Sequence, residues 1–194
     1  MKKGRLEAFT DAVMAIIITI MVLEMKAPEN TRLEALVPAL PVFLSYVLSF
    51  IYIAIYWINH HRLFEPVEII DVRVLWANIN LLFWLSLIPF VTSWMGENHL
   101  EALPVALYGF ILLMSAIAYR ILEVALIHSH SKTSLIVRIL GGGRKEKFSI
   151  VIYILGMATA FIHVAIGIAC YVLVTIVWIF PVHYFEKYRI EKPE

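Results

Sequence analysis

Several residues of the chain have the types for chemistry in places where apolar helices are expected. Arg5, Glu7 and Asp11 open the stretch RLEAFTDAVMAIIITIMVLEM at residues 5–25, and Glu24 closes it. Ionisable groups at membrane depth hold ions, relay protons or anchor helices. His60 and His61 adjoin one another and Asp71 follows, a set able to carry protons. Read plainly, Asp71 is an interfacial residue at a helix end. His128 and His130 form a metal pair with no third ligand nearby. His99, His163 and His183 read as loop or interfacial side chains. No HExxH pair, nucleophile elbow or phosphate-binding loop is present, so no enzyme and no cofactor are expected. Cys170 is the single cysteine, inside an apolar run. It reads as a small buried hydrophobe rather than a disulfide or metal ligand.

The elements that carry these residues are set by composition. Of the 194 residues 61% are hydrophobic and 16% charged, with a mean hydropathy of +0.83. Soluble domains average about 45–50% apolar and about 25% charged. The chain reads as a single-domain, all-α integral membrane protein. Its net charge of +1 points to no nucleic-acid partner. Residues 35–59, 74–96 and 102–119 are free of charge over 25, 23 and 18 positions, each enough for one crossing. Residues 148–182 hold 35 positions with only His163 polar enough to interrupt them. One helix of that length would reach about 52 Å, so two short spans with a turn near His163–Gly167 are expected. With the first helix the approximate spans are 8–25, 36–59, 74–95, 102–127, 148–163 and 166–184, six in all. Pro89 should kink the third. The stretch GGGRKEK at residues 141–147 reads as a flexible loop.

Loop charges orient the spans. Six crossings place 14 of the 16 basic residues on one side: Lys2, Lys3, Arg5, Arg62, Arg73, Arg120, Lys132, Arg138, Arg144, Lys145, Lys147, Lys187, Arg189 and Lys192. Only Lys26 and Arg32 fall on the other, beside Glu24, Glu29 and Glu34. The positive-inside rule then puts both termini in the cytoplasm of a multi-pass protein of the cell (plasma) membrane. Trp57, Trp76, Trp94 and Trp178 stand near span ends, as an aromatic belt would.

The first helix is the odd one. Only 12 uncharged residues separate Asp11 from Glu24, about 18 Å of helix against a hydrocarbon core of roughly 30 Å. It is not expected to be a cleaved signal peptide, because acids spoil its basic start and no small-residue cleavage site follows. A short helix with charged ends belongs among other helices or beside water. At about 100° per residue, Ala12, Thr19, Ile20, Leu23 and Ala27 lie within about 60° of Ile16. Asp11 points about 140° away from that face. It is therefore expected among neighbouring helices, where a buried carboxylate needs donors. Arg5, Asn78, His60 and His61 lie at its level. Plain core packing of Ile16, Ile20 and Leu23 remains open on periodicity alone.

Arg5-x-x-x-Phe9-Thr10-Asp11 resembles the RxxxF[ST]D signature of the transmembrane protein 175 family of potassium channels. WINHHRLF (57–64) and Asp71 with WANINLLFWLSLIPFVT (76–92) resemble that family's second and third helices. The resemblance implies the prokaryotic single-repeat, six-helix form. It implies a homotetramer with the first helices around a central pore for potassium ions, in a lipid bilayer, with no bound metal beyond the permeating ion. The family's aliphatic constriction would fall on Ile16, Ile20 and Leu23, and its hydroxyl on Thr19. Its hydrogen-bond network would involve Arg5, Phe9, Thr10, Asp11, His60 or His61, Trp76 and Asn78. The TVGYG carbonyl filter of other potassium channels is absent from the sequence. Four Ile16 side chains on one axis would gate by dewetting, and Glu24 with Glu29 and Glu34 would enrich cations at the outer mouth. The rival expectation is a proton- or ion-coupled secondary transporter, with His60, His61, Asp71 and Asp11 as its relay.

Overall fold

The computed structural model describes residues 2–28, 30–67, 70–130 and 144–179. Their elements are α-helical, apart from one 3-10 turn at Leu33–Leu36. In order they are α1 (Lys3–Leu23), α2 (Leu40–Phe64), α3 (Val72–Ser86), α4 (Ile88–Glu97), α5 (Ala102–Ser129), α6 (Arg144–Ala160) and α7 (Val164–Ile179). α3 and α4 are two halves of one rod, so the helices among the described residues form six rods of alternating direction. Four rods are long and apolar enough to cross a membrane: Lys3–Leu23, Leu40–Phe64, Val72–Glu97 and Ala102–Ser129. α6 and α7 have 17 and 16 described residues. Glu29, Lys132, Arg138, residues 141–143, His183 and the basic residues Lys187, Arg189 and Lys192 lie outside the described residues.

Tethers at both ends fix the antiparallel order. At one end Lys3 Nζ donates to the Glu65 carbonyl at 3.0 Å, joining the start of α1 to the end of α2. At the same end Ser129 Oγ donates to Asp71 Oδ2 at 2.9 Å, joining the end of α5 to the start of α3. At the opposite end Lys26 donates to Glu97 Oε1 at 2.9 Å. The rod of α3 and α4 breaks at Leu87, two residues before Pro89. Proline has no N–H and its ring crowds the carbonyl four residues back, so the kink has its cause in sequence.

Inside the bundle polar side chains bond across helices, as they must where no water competes. Ser49 Oγ on α2 meets Thr92 Oγ1 on α4 at 2.7 Å and Tyr108 Oη on α5 at 3.0 Å. Tyr52 Oη donates to the Tyr171 carbonyl at 2.6 Å, and Tyr171 Oη donates to the Val105 carbonyl at 3.1 Å. Gly109 makes this possible: a Cβ there would run into the Tyr171 hydroxyl.

The structure sharpens two expectations about loops. The turn in the 148–182 stretch falls at residues 161–163, at the leading edge of the His163–Gly167 segment. Gly167 is inside α7, where a Cβ would sit 2.8 Å from the Gly156 carbonyl of α6. Its missing side chain serves close helix approach, not chain reversal. In the GGGRKEK stretch, residues 144–147 are the first turn of α6 rather than loop. Lys145 Nζ donates to the Val177 carbonyl at 2.9 Å and lies 5.6 Å from the Trp178 ring centroid. That draws the basic run into the helix pair.

Asp71 caps α3: its Oδ1 accepts the Val74 N–H at 2.9 Å. These bonds, that of Val74 first, hold its carboxyl below the usual carboxylate range. A depressed folded-state value means the stabilisation is present above the ordinary range and fades as pH falls through the depressed value. Asp71→Ala should lower stability by about 1 kcal/mol near neutral pH, as lost N-caps do. Thermal unfolding in detergent at neutral and strongly acidic pH checks this: the gap between variant and parent should close in acid.

Candidate ion-conduction site

α1 presents two faces with opposite surroundings. Leu6, Thr10, Met14, Ile17 and Met21 are buried against the rest of the chain. Ala12, Ile16, Thr19, Ile20 and Leu23 are exposed, with Ile16 at 57% and Leu23 at 75%. The spacing of three and four residues on each side is that of an α-helix with one packed stripe. The exposed positions include the face drawn around Ile16 and extend beyond it to Asp11, Ala15 and Val22. Plain packing within the chain does not describe Ile16, Ile20 or Leu23. Thr19 Oγ1 donates to the Ala15 carbonyl at 2.9 Å. Its proton is committed, so the hydroxyl oxygen turns its lone pairs outward.

The packed stripe is anchored by one buried polar residue. Thr10, His60 and Asn78 are each 2% exposed or less. Asn78 Nδ2 donates to Thr10 Oγ1 at 2.9 Å, and Asn78 Oδ1 accepts from His60 Nε2 at 2.8 Å. Asn78 thus ties α1, α2 and α3 together, and the acceptor role of Oδ1 puts the His60 proton on Nε2. His60 also stacks on Phe64 at 4.5 Å between centroids.

Asp11 departs from expectation. It is exposed rather than buried, and its donor is Trp57 Nε1 at 2.9 Å. Arg5, Asn78, His60 and His61 do not supply it. Asn78 and His60 serve Thr10, and His61 stacks over Trp57 at 6.5 Å. The sequence places Trp57 in the aromatic belt and at the head of the WINHHRLF segment. Its position three residues before His60 places it at the level of Asp11, and an indole N–H is a donor. Phe9 and Trp76 are exposed at 56% and 68% and join neither bond. Arg5 lines an open cleft of about 550 Å³ between α1 and α3 with Leu6, Phe9 and Asn78.

The remaining candidates lie apart. Glu24 and Glu34 are exposed near the Glu97 end of the bundle. Asp71 bonds Val74 and Ser129, so it is not brought to the histidines as a relay would need. His128 and His130 each meet their own helix through Nδ1, at the carbonyls of Val124 and Leu126. Among the described residues no group of three metal-ligating side chains forms.

Comparison with known proteins places this arrangement. A family model described as "Endosomal/lysosomal potassium channel TMEM175" matches residues 5–89, the segment holding α1, α2, α3 and the network. A protein of Chryseobacterium sp. (strain P1-3), named a potassium channel, is 51% identical over 187 residues, 96% of this chain and 97% of its own. Another so named from Streptomyces collinus is 32% identical over 129 residues, 62% of this chain and 63% of its own. A crystal structure titled as a lysosomal potassium-selective channel TMEM175 homolog from Chamaesiphon minutus superposes with a TM-score of 0.76 at 30% identity, covering 91% of this chain and 95% of that one. On sequence, helix order and fold together, the chain is a multi-pass membrane protein of the TMEM175 family.

Proposed function

We propose that the chain is one subunit of a homotetrameric, potassium-permeable cation channel of the plasma membrane, with both termini in the cytoplasm. The observation that carries this reading is the bare aliphatic face of α1. A helix packed on one side by its own chain and bare on the other needs an occupant for the second side. Four copies around an axis supply one, and shield a helix too short to face lipid along its length. Relatives named as potassium channels support the choice of ion.

The geometry then divides the labour. Thr10, Asn78 and His60 hold α1 at the angle that turns Ile16 inward. Ile16, Ile20 and Leu23 form apolar rings that stop ions by excluding their water. When the rings widen, a hydrated potassium ion passes, and Thr19 oxygens replace part of its hydration. No TVGYG carbonyl filter takes part. Glu24 and Glu34 raise the local cation concentration at the outer mouth. A coupled transporter is the weaker reading, because Asp71 stands apart from His60 and His61 as a helix cap. Bilayer recording of purified protein under opposed potassium and sodium gradients tests the reading. Ohmic current reversing toward the potassium equilibrium potential is expected; saturable flux coupled to a pH gradient would replace it with the transporter.

A further inference from the structure

The exposed side of α1 does not end at its aliphatic residues. At about 100° per residue, Arg5 and Phe9 each lie about 20° from Ile16, on the same stripe and nearer the N-terminal end. Both are exposed, Phe9 at 56%. The Arg5 side chain has no hydrogen bond or ion pair among the described residues. Lys2 is exposed at the same end. The acidic groups nearby are turned aside. Glu7 lies about 180° from Ile16 and pairs with Lys3 at 4.0 Å. Asp11 lies about 140° away and is held by Trp57. Arg5 also borders the open cleft of about 550 Å³ between α1 and α3, whose apolar walls are Leu6, Phe9, Leu75 and Ile79.

The consequence rests on the pore reading. If Ile16 faces a fourfold axis, so does Arg5. Four guanidiniums then ring the cytoplasmic mouth, with four Lys2 ammoniums at the same end and no carboxylate on the stripe. Such a ring repels the ion that the channel carries, so potassium passage alone gives it no purpose.

We propose that this ring binds a multivalent phosphate anion from the cytoplasm, and that the bound anion closes the path. A guanidinium fork takes two phosphate oxygens at once. Four forks suit a chain of linked phosphates better than a singly charged anion such as chloride. The exposed Phe9 ring and the apolar cleft beside Arg5 add a surface for a planar base. A phospholipid offers a phosphate too, but the stripe turns toward the axis and away from the bilayer. The triphosphate chain is shared by inorganic tripolyphosphate and by nucleoside triphosphates.

Sodium tripolyphosphate and, separately, ATP are the probes, applied without magnesium to the full chain in phosphatidylcholine membranes. Binding is read by calorimetry in nanodiscs. Potassium current is recorded in planar bilayers with the anion on one side at a time. Saturable binding, and block from one side only, are expected. Arg5→Gln should weaken both at least about tenfold, as the loss of charged hydrogen bonds does. Arg5→Lys, which keeps the charge but not the fork, should fall between that variant and the parent. Lys3→Gln, an equal loss of charge off the stripe, should be blocked as the parent is. Tighter block by ATP than by tripolyphosphate identifies a nucleotide; equal block identifies the phosphate chain alone. Potassium current blocked by neither anion, or equal block of parent, Arg5→Gln and Lys3→Gln, overturns the proposal and leaves the pore reading standing. Absence of potassium current in the parent overturns the pore reading, and the ring with it.

Discussion

Asn78→Leu should destabilise the chain by about 3 kcal/mol, because it leaves two buried polar groups, on Thr10 and His60, without their partner, each costing about 1–3 kcal/mol. Leucine is close in volume, so the loss is one of hydrogen bonds rather than of packing. The consequence extends past stability. Asn78 on α3 bonds both Thr10 of α1 and His60 of α2, so on the proposed reading its loss should loosen α1 and turn the Ile16 face off the pore axis. Thermal unfolding should show a fall of several degrees, and liposome flux should fall with it. Asp11→Asn is the comparison. The asparagine Oδ1 can still accept from the half-exposed Trp57 indole, and water reaches both groups, so the stability cost should stay under about 1 kcal/mol. If the two variants unfold alike, the anchoring role belongs elsewhere.

Ile16→Asn is expected to raise potassium flux at least about tenfold in proteoliposomes, a barrier change of about 1.4 kcal/mol. In the proposed tetramer four isoleucines around an axis would repel water, and a potassium ion could not shed its hydration there without compensation. Four carboxamides of similar size keep the constriction wet. The same change should reduce discrimination among monovalent cations, since a wider wet ring passes hydrated ions more equally. Ile17→Asn serves as its counterpart. Ile17 is packed inside the subunit, so asparagine there should damage folding without opening a path. Unchanged flux and ion preference in Ile16→Asn would remove Ile16 from the constriction.

How much of this was legible beforehand depends on the kind of statement. Helical angle is a property of one element, so the Ile16, Thr19, Ile20 and Leu23 face could be drawn from spacing and lies within the wider exposed side of α1. The break at Leu87 followed from Pro89 for the same reason. The partner of Asp11 was not legible. An angle gives a direction but not which neighbour stands there, and the carboxylate turned to Trp57 at an exposed position instead of to the buried Asn78 amide and His60 imidazole. Gly167 shows a second limit: glycine permits both turns and close helix contact, and only the distance to the Gly156 carbonyl separates the two. Charges at 144–147 suggested a loop, but a basic residue at a helix start can lie along an aromatic ring and reach a carbonyl, as Lys145 does. Buried pairs such as Ser49 with Thr92 carry no signal in the sequence, since serine and threonine are common in apolar helices.

The central claim is that the bare face of α1 borders the path of the ion. It is tested most directly by cysteine accessibility in a Cys170→Ser background, with current recorded in bilayers while a cationic methanethiosulfonate reagent is applied. Cysteine at Ile16 or Ile20 should be modified with irreversible loss of current, and cysteine at Met14 or Ile17, on the packed stripe, should leave current intact. Block at Met14 or Ile17 with none at Ile16 and Ile20 would contradict the account.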